Sequence, residues 1–156
     1  MNSIEKLANK INQEFNNGKQ LENMGNLLKE YNGADWSNCV KFSEMSYNRN
    51  LVFRNDIFEI MVICWNYDQH SCIHDHPNNG CFLKVLQGDL IEECYEIVND
   101  KLIMTNKTNL SIGSIAYQKG KTGIHRIINP YNNKRAITLH IYSPPNYKFN
   151  SIVNKN

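Results

Sequence analysis

The stretch Ser71-Cys-Ile-His-Asp-His76 carries the strongest signal in this sequence. On a β-strand, side chains alternate between the two faces of the sheet, so the imidazoles of His74 and His76 project to the same side. Neutral imidazole nitrogens are common metal ligands in proteins, and a third histidine follows at His125. The pattern predicts a metal site inside a β-barrel.

The last predicted strand, over residues 135–142, has two contrasting faces. Thr138, His140 and Tyr142 lie on one face, and the residues between them, all Ile or Leu, lie on the other. Each polar group aimed into a barrel without a partner would cost about 1–3 kcal/mol. We therefore expect this polar row to have a function.

The chain begins with helical patterns and continues with strands. Apolar residues on one face after the N-cap Ser3 predict a first helix. A second apolar stripe runs from Leu21 to Tyr31, where Asn32-Gly33 is typical of a helix end. Short strands are predicted over residues 57–65, 72–75, 81–87, 89–97, 101–105, 114–118, 124–128 and 135–142.

This order of elements predicts a mainly β fold, a β-barrel or jelly roll preceded by two or three N-terminal α-helices. No linker or repeat divides the sequence, so residues 1–156 are expected to form a single domain. The helical part would cover about residues 1–42 and the barrel about residues 43–145.

Composition restricts the function classes. The net charge is only +2 without basic blocks, so neither nucleic acid nor a membrane is an expected partner. The five cysteines form no CxxC pair, which argues against a disulfide framework. We expect a soluble cytoplasmic protein and, because no sustained interface pattern is present, a monomer.

The spacing His74-x-His76-x4-Cys81-x6-Gly88 follows the first cupin signature. Gly113, His125 and Asn129 follow the second signature less closely. This resemblance implies that the mainly β fold is a cupin-type jelly-roll β-barrel. Four segments resemble more specifically the motifs of cysteine dioxygenase, and the resemblance runs from about residue 47 to 145. The segments are Ser71-Cys-Ile-His-Asp-His76, Cys81-Phe-Leu-Lys-Val-Leu-Gln-Gly88, Gly123-Ile-His-Arg126 and Leu139-His-Ile-Tyr-Ser-Pro-Pro145.

The resemblance implies a mononuclear non-haem Fe(II) enzyme that adds both atoms of O2 to the sulfur of L-cysteine, giving cysteine sulfinate. His74, His76 and His125 match the iron ligands of the family. Tyr47 and Arg49 match the pair that holds the substrate carboxylate.

The resemblance also assigns residues around the metal. Tyr142 matches the active-site tyrosine, and Cys81 matches a cysteine that some members join to it by a thioether crosslink. His140 can hydrogen-bond Tyr142, and Thr138, where the family more often has serine, can orient His140. Gly80 stands where animal relatives carry a histidine.

The residue types suit this chemistry on physical grounds. Three histidines leave three octahedral positions for a thiolate, an amine and O2. Because all three ligands are neutral, the metal keeps its full charge to lower the pKa of an incoming thiol. Arg49 offers a planar fork that can grip a carboxylate with two charge-assisted hydrogen bonds.

Other interpretations stay open. The protein could oxidise 3-mercaptopropionate or a related thiol acid, or it could be a non-catalytic metal-binding cupin module. Cys81 could be only a small buried hydrophobe. His140 is a further candidate ligand, although its strand already gives it another partner. Trp36 and Trp65 are interpreted as core residues.

Overall fold

The computed structural model describes residues 1–153 and begins with a helical segment. Helix α1 (Ile4–Asn16) starts at the predicted cap, where the Ser3 side chain accepts a hydrogen bond from the Lys6 amide at 3.2 Å. Leu7 and Ile11 on its apolar face are fully buried. The first predicted helix is therefore confirmed.

The second apolar stripe was predicted as one helix ending at Asn32-Gly33, and that prediction is wrong. The chain forms a 3-10 turn (Leu21–Met24), helix α2 (Gly25–Glu30) and a second 3-10 turn (Asp35–Cys39). Tyr31 is already extended, at φ −71° and ψ 118°. The buried Lys84 Nζ donates to the Leu28 carbonyl at 2.6 Å and the Met1 ammonium donates to the Glu30 carbonyl at 2.8 Å, so charged groups from elsewhere in the chain, rather than a glycine cap, satisfy this helix end.

Within residues 1–153, eight strands form two antiparallel sheets. The larger sheet has the order β1-β2-β8-β3-β6, and the smaller has the order β5-β4-β7. The strands are β1 (Asn48–Arg54), β2 (Glu59–Trp65), β3 (Cys81–Gln87), β4 (Leu90–Val98), β5 (Lys101–Leu110), β6 (Ile115–Gln118), β7 (Ile124–Ile128) and β8 (Ala136–Tyr142).

The predicted strands differ from the observed ones in two places. Strand β1 was not predicted, because it is a half-buried edge strand rich in polar residues and lacks clear alternation. Residues 72–75 form no named strand, and His74 instead makes isolated bridges to His125 and Ser151. The histidine motif therefore lies on an extended connection that is held by its neighbours.

Two apolar clusters lie on opposite sides of the larger sheet. One joins the helices to residues such as Ile60 and Leu139, and the other contains Met61 and Leu83 together with residues of the smaller sheet. The second cluster packs the two sheets against each other. Strand β8 turns its polar row towards this inter-sheet side, as the alternation predicts, because its apolar residues belong to the helix-facing cluster.

Among residues 1–153, no helix combines the length and the apolar character that a membrane crossing requires. All five cysteines lie within this range, and none is paired with another.

Candidate metal centre

Three histidines converge between the two sheets. One ring nitrogen from each of His74, His76 and His125 lies within 4.8 Å of the other two. The side chains are buried. His74 and His125 are also joined through their backbones, by N–H···O bonds of 2.9 and 3.1 Å. The structure thus brings together the three predicted ligands.

Each of these imidazoles has its Nδ1 within hydrogen-bond distance of an acceptor. These acceptors are Cys72 O for His74 at 2.8 Å, Gly123 O for His76 at 2.6 Å and Glu92 Oε1 for His125 at 2.7 Å. A carbonyl or carboxylate oxygen can only accept, so each Nδ1 carries the proton. The Nε2 lone pair of each ring is consequently available to a metal.

Burial keeps two of the imidazoles neutral. It lowers the pKa of His74 to about 4, with help from the nearby His125. The same two causes lower the pKa of His76 to about 2. Metal ions bind the neutral imidazole, so these rings need no deprotonation at neutral pH.

The donor set fits a first-row transition metal. Three imidazole nitrogens on one side of an ion suit iron, copper, nickel or zinc, and they leave coordination positions for other molecules. Glu92, on β4, adds a negative charge behind His125 and makes that ring a stronger donor. Sequence reasoning did not find Glu92, since only the pairing of β4 with β7 places it beside His125.

The polar row of β8 forms a hydrogen-bonded chain. Trp65 Nε1 donates to Thr138 Oγ1 at 2.9 Å, and Thr138 Oγ1 lies 2.9 Å from His140 Nε2. The other nitrogen of His140 is 3.2 Å from Tyr142 Oη. Burial lowers the pKa of His140, and the Arg49 charge lowers it further, so this ring is neutral. Trp65 is a buried core residue, as predicted, and it also supports this chain.

Cys81 and Tyr142 face each other across neighbouring strands. They are direct partners in the pairing of β3 with β8, and both are buried. Cys81 Sγ also lies 3.8 Å from His140 Nδ1. Burial raises the pKa of the Cys81 thiol and of the Tyr142 phenol, so both groups stay protonated.

The backbone conformation at Gly80 restricts which residues can replace this glycine. Its φ is +95°, a conformation that favours glycine, and a Cβ there would collide with the Tyr117 hydroxyl. The Tyr117 hydroxyl donates to the Asn79 carbonyl at 2.9 Å. A histidine at this position would therefore need a different local backbone.

Arg49 reaches from the edge strand β1 towards the site. Its Cζ lies 5.1 Å from the centroid of the Tyr142 ring, and its Nε and Nη2 lie 3.4 Å from Met61 Sδ. Within the part of the chain that the structure describes, no ion pair joins Arg49 to a carboxylate. This guanidinium is thus available to an acidic ligand.

Tyr47 precedes β1 and stacks on Trp65, with ring centroids 4.6 Å apart and planes inclined by 21°. Trp65 in turn supports Thr138, so Tyr47 is connected to the β8 chain. His70, the remaining histidine, is exposed and is not part of the three-histidine cluster. Phe149 also borders the site, and the sequence did not predict its position.

The family model for cysteine dioxygenase type I matches residues 2–154. Cysteine dioxygenase type 1 of Danio rerio is 36% identical over 151 residues, 92% of this chain and 75% of that protein. The Rattus norvegicus protein of the same name is 38% identical over 120 residues, 74% of this chain and 60% of that protein.

Solved structures confirm the fold. A double-stranded beta-helix protein from Klebsiella pneumoniae aligns with a TM-score of 0.57 at 22% identity, over 76% of this chain and 88% of its own. A cupin superfamily protein from Desulfitobacterium hafniense aligns with a TM-score of 0.56 at 12% identity, over 72% and 90%. The cupin-type architecture is thereby confirmed, and the match over nearly the whole sequence shows that the chain belongs to the cysteine dioxygenase type I family.

Proposed function

We propose that this protein uses O2 to oxidise the thiol of L-cysteine to cysteine sulfinate, with one Fe(II) held by His74, His76 and His125. The observation that carries the proposal is the convergence of three imidazoles near a guanidinium that has no carboxylate partner in residues 1–153. The bound iron would lower the thiol pKa and activate O2. The protein supplies the ligands and the orientation of the substrate.

Arg49 would bind the substrate carboxylate. A guanidinium fork can make two parallel hydrogen bonds to a carboxylate, which fixes both the position and the direction of the amino acid. Tyr47 lies two residues away in sequence and would complete this end of the site. Such orientation lowers the entropic barrier to the reaction of bound groups.

Tyr142 would act as a hydrogen-bond donor beside the substrate. Burial raises the pKa of its phenol, so the hydroxyl keeps its proton at neutral pH. His140 and Thr138 would act as positioning residues. His140 Nδ1 lies 3.2 Å from Tyr142 Oη, and Thr138 Oγ1 lies 2.9 Å from His140 Nε2. Their role is to keep the hydroxyl in one orientation.

Cys81 would form a thioether with Tyr142. The S–H bond of the thiol and one C–H bond of the ring would be lost, and one S–C bond would form. The two electrons and two protons would pass to O2, giving hydrogen peroxide. The direct pairing of the two residues on β3 and β8 supports this reaction.

We also propose that the enzyme is a cytoplasmic monomer. Every residue assigned to the site comes from one chain. Free cysteines fit a reducing compartment.

The direct test is O2 uptake by the anaerobically Fe(II)-loaded protein. L-cysteine, 3-mercaptopropionate and cysteamine are supplied in parallel, and the products are identified by mass spectrometry. We expect uptake with L-cysteine that matches sulfinate formation. The Arg49→Gln variant should lose about 2 kcal/mol of transition-state stabilisation, or roughly thirtyfold in kcat/KM.

Other outcomes would change the assignment. A preference for 3-mercaptopropionate would keep the iron chemistry but contradict the proposed substrate. Iron binding without O2 uptake with any thiol would favour a non-catalytic cupin module. Lys41→Gln is the matched control, because Lys41 is an exposed cation shortly before β1 and its replacement also removes one positive charge.

A further inference from the structure

After β8, the chain returns to the histidine motif. The Ile152 amide donates to the Ile73 carbonyl at 2.8 Å, and Ser151 forms a β-bridge with His74. We call residues 146–152 the return segment. It pairs with the connection that carries two of the three metal-binding histidines, so its position is coupled to the site.

Asp75 anchors the return segment. Its Oδ1 accepts hydrogen bonds from the Tyr147 hydroxyl at 3.0 Å and from the Asn150 amide at 2.8 Å. Its Oδ2 accepts another from Asn150 Nδ2 at 2.8 Å. Asp75 is only 4% exposed, so these charge-assisted bonds are shielded from water. Asp75, the residue between the two metal-binding histidines, therefore holds the return segment in place.

The anchored segment places Phe149 beside the site. The Phe149 ring lies 5.0 Å from the His74 ring, with the planes inclined by 50°. The Cζ atom of Arg49 lies 5.5 Å from the centroid of the Phe149 ring and 5.1 Å from that of Tyr142. One aromatic side chain therefore contacts both a metal-binding histidine and the guanidinium.

We propose that Phe149 is a positioning and specificity-determining residue that orients the Arg49 guanidinium and limits the site to short thiol carboxylates. The inference rests on the proposed function, since it assumes that Arg49 receives the substrate carboxylate. The ring attracts the cation electrostatically and reduces the freedom of its long side chain before substrate binds. Because the Phe149 ring contacts both His74 and Arg49, it would also border the space between the bound metal and the substrate carboxylate.

The first test compares Phe149→Ala with the unchanged enzyme, both loaded with Fe(II). We expect KM for L-cysteine to rise about tenfold while kcat changes less than about twofold, because the ring orients the binding group and touches no reacting atom. Discrimination against L-homocysteine, which is longer by one methylene group, should fall about tenfold. Lys148→Ala is the matched control, since Lys148 is an exposed neighbour.

A second test needs no turnover. Anaerobic titration of the Fe(II)-loaded proteins with L-cysteine gives the dissociation constant directly. Asn150→Ala removes one donor to Asp75 and leaves the three metal-binding histidines unchanged. In the metal-free protein this variant should speed amide exchange at residues 150 and 152, and in the loaded protein it should weaken L-cysteine binding in the same direction as Phe149→Ala.

The results separate this inference from the proposed function. If Phe149→Ala binds L-cysteine as tightly as the unchanged protein and discriminates L-homocysteine equally well, the role of Phe149 is refuted. If Phe149→Ala binds L-cysteine more weakly but neither protein oxidises it, the proposed function fails and the role of Phe149 in binding is supported. Equal iron content in all variants, measured first, excludes loss of metal as the cause.

Discussion

At the scale of single residues, the site is defined by protonation and orientation. The Nδ1 atoms of His74, His76 and His125 each face an oxygen acceptor, which leaves Nε2 of each ring for the metal. Tyr142 keeps its proton because burial raises the pKa of the phenol. The identity of these residues was predicted from spacing and from the family resemblance, but their tautomers depend on the Cys72 and Gly123 carbonyls and on Glu92, whose positions beside the rings only the fold decides.

Replacing His125 should weaken metal binding more than replacing its hydrogen-bond partner Glu92. His125→Ala removes a ligand and should abolish stoichiometric Fe(II) binding. Glu92→Gln keeps an acceptor but removes its charge, so Fe(II) affinity should fall about tenfold. Competition with a chromophoric chelator measures both effects. His70→Ala is the control because His70 is exposed and outside the cluster, and equal losses in all three variants would contradict the assignment.

The pairing of Cys81 with Tyr142 predicts a change of mass. If the thioether forms during turnover, the intact protein should become lighter by two hydrogens, and this species should be absent from Cys81→Ser. Intact-protein mass spectrometry before and after many turnovers gives the answer. Cys39→Ser should still form the lighter species. An unchanged mass in the parent protein would refute the crosslink.

At the scale of elements, the strands position the site through their registers. β8 lies between β2 and β3 and presents Thr138, His140 and Tyr142 on its inter-sheet face. β7 carries His125, and its neighbour β4 carries Glu92. The smaller sheet therefore contributes one ligand and its charged partner, and its stability matters for the metal centre.

Glu93 on β4 should make this sheet sensitive to acid. Burial opposes its charge, but hydrogen bonds from Tyr95, Arg126 and Lys107 outweigh burial and lower its pKa to about 2. A carboxyl whose pKa is lower in the folded state stabilises the fold above its unfolded pKa, near 4.5. That stabilisation, about 2 kcal/mol at neutral pH, should be lost as the pH falls from about 4.5 towards 2.

Glu93→Gln tests this directly. The variant should unfold more easily at pH 7 and show a flatter dependence of the free energy of unfolding on pH in the acidic range. Urea unfolding at several pH values measures both quantities. Glu96→Gln, an exposed change on the same strand, should leave the pH dependence unchanged. If the free energy of unfolding of Glu93→Gln depended on pH as it does in the unchanged protein, the proposed contribution of Glu93 to acid sensitivity would be contradicted.

At the scale of the whole molecule, the helices cover the outer face of the larger sheet while the metal centre lies on its inner face. Fully buried Leu7 belongs to the cluster that joins α1 to β2 and β8. The helices therefore contribute to the free energy of unfolding of the sheet that carries the β8 chain. We therefore propose that the helices and the sheets unfold together as a single domain.

Leu7→Ala should destabilise the entire fold by about 2–5 kcal/mol, because it leaves a cavity in the shared core. Helix loss by far-UV circular dichroism and exposure of Trp65, followed by fluorescence in a Trp36→Phe background, should follow one transition with and without Leu7→Ala. Lys10→Ala, on the exposed face of α1, should have little effect. Two separate transitions would instead indicate that the helical segment folds independently.

The sequence by itself determined the features that depend on local periodicity and side-chain chemistry. The family and the role of the third histidine, His125, were indicated by the resemblance of four segments to the motifs of cysteine dioxygenase. The first helix and its Ser3 cap, the two faces of β8 and the convergence of His74 with His76 followed from local spacing. These patterns act over a few residues, so physical rules for strands, helices and ligands suffice to interpret them.

Only the tertiary structure decided the features that join distant parts of the chain. The charge of Glu92 behind His125, the support of Thr138 by Trp65 and the contact of Phe149 with Arg49 each link residues more than thirty positions apart. Strand β1 was missed, and the second helix was predicted too long, because an edge strand lacks alternation and Lys84 and the Met1 ammonium satisfy the end of that helix. Such contacts depend on register and packing, which one-dimensional patterns do not specify.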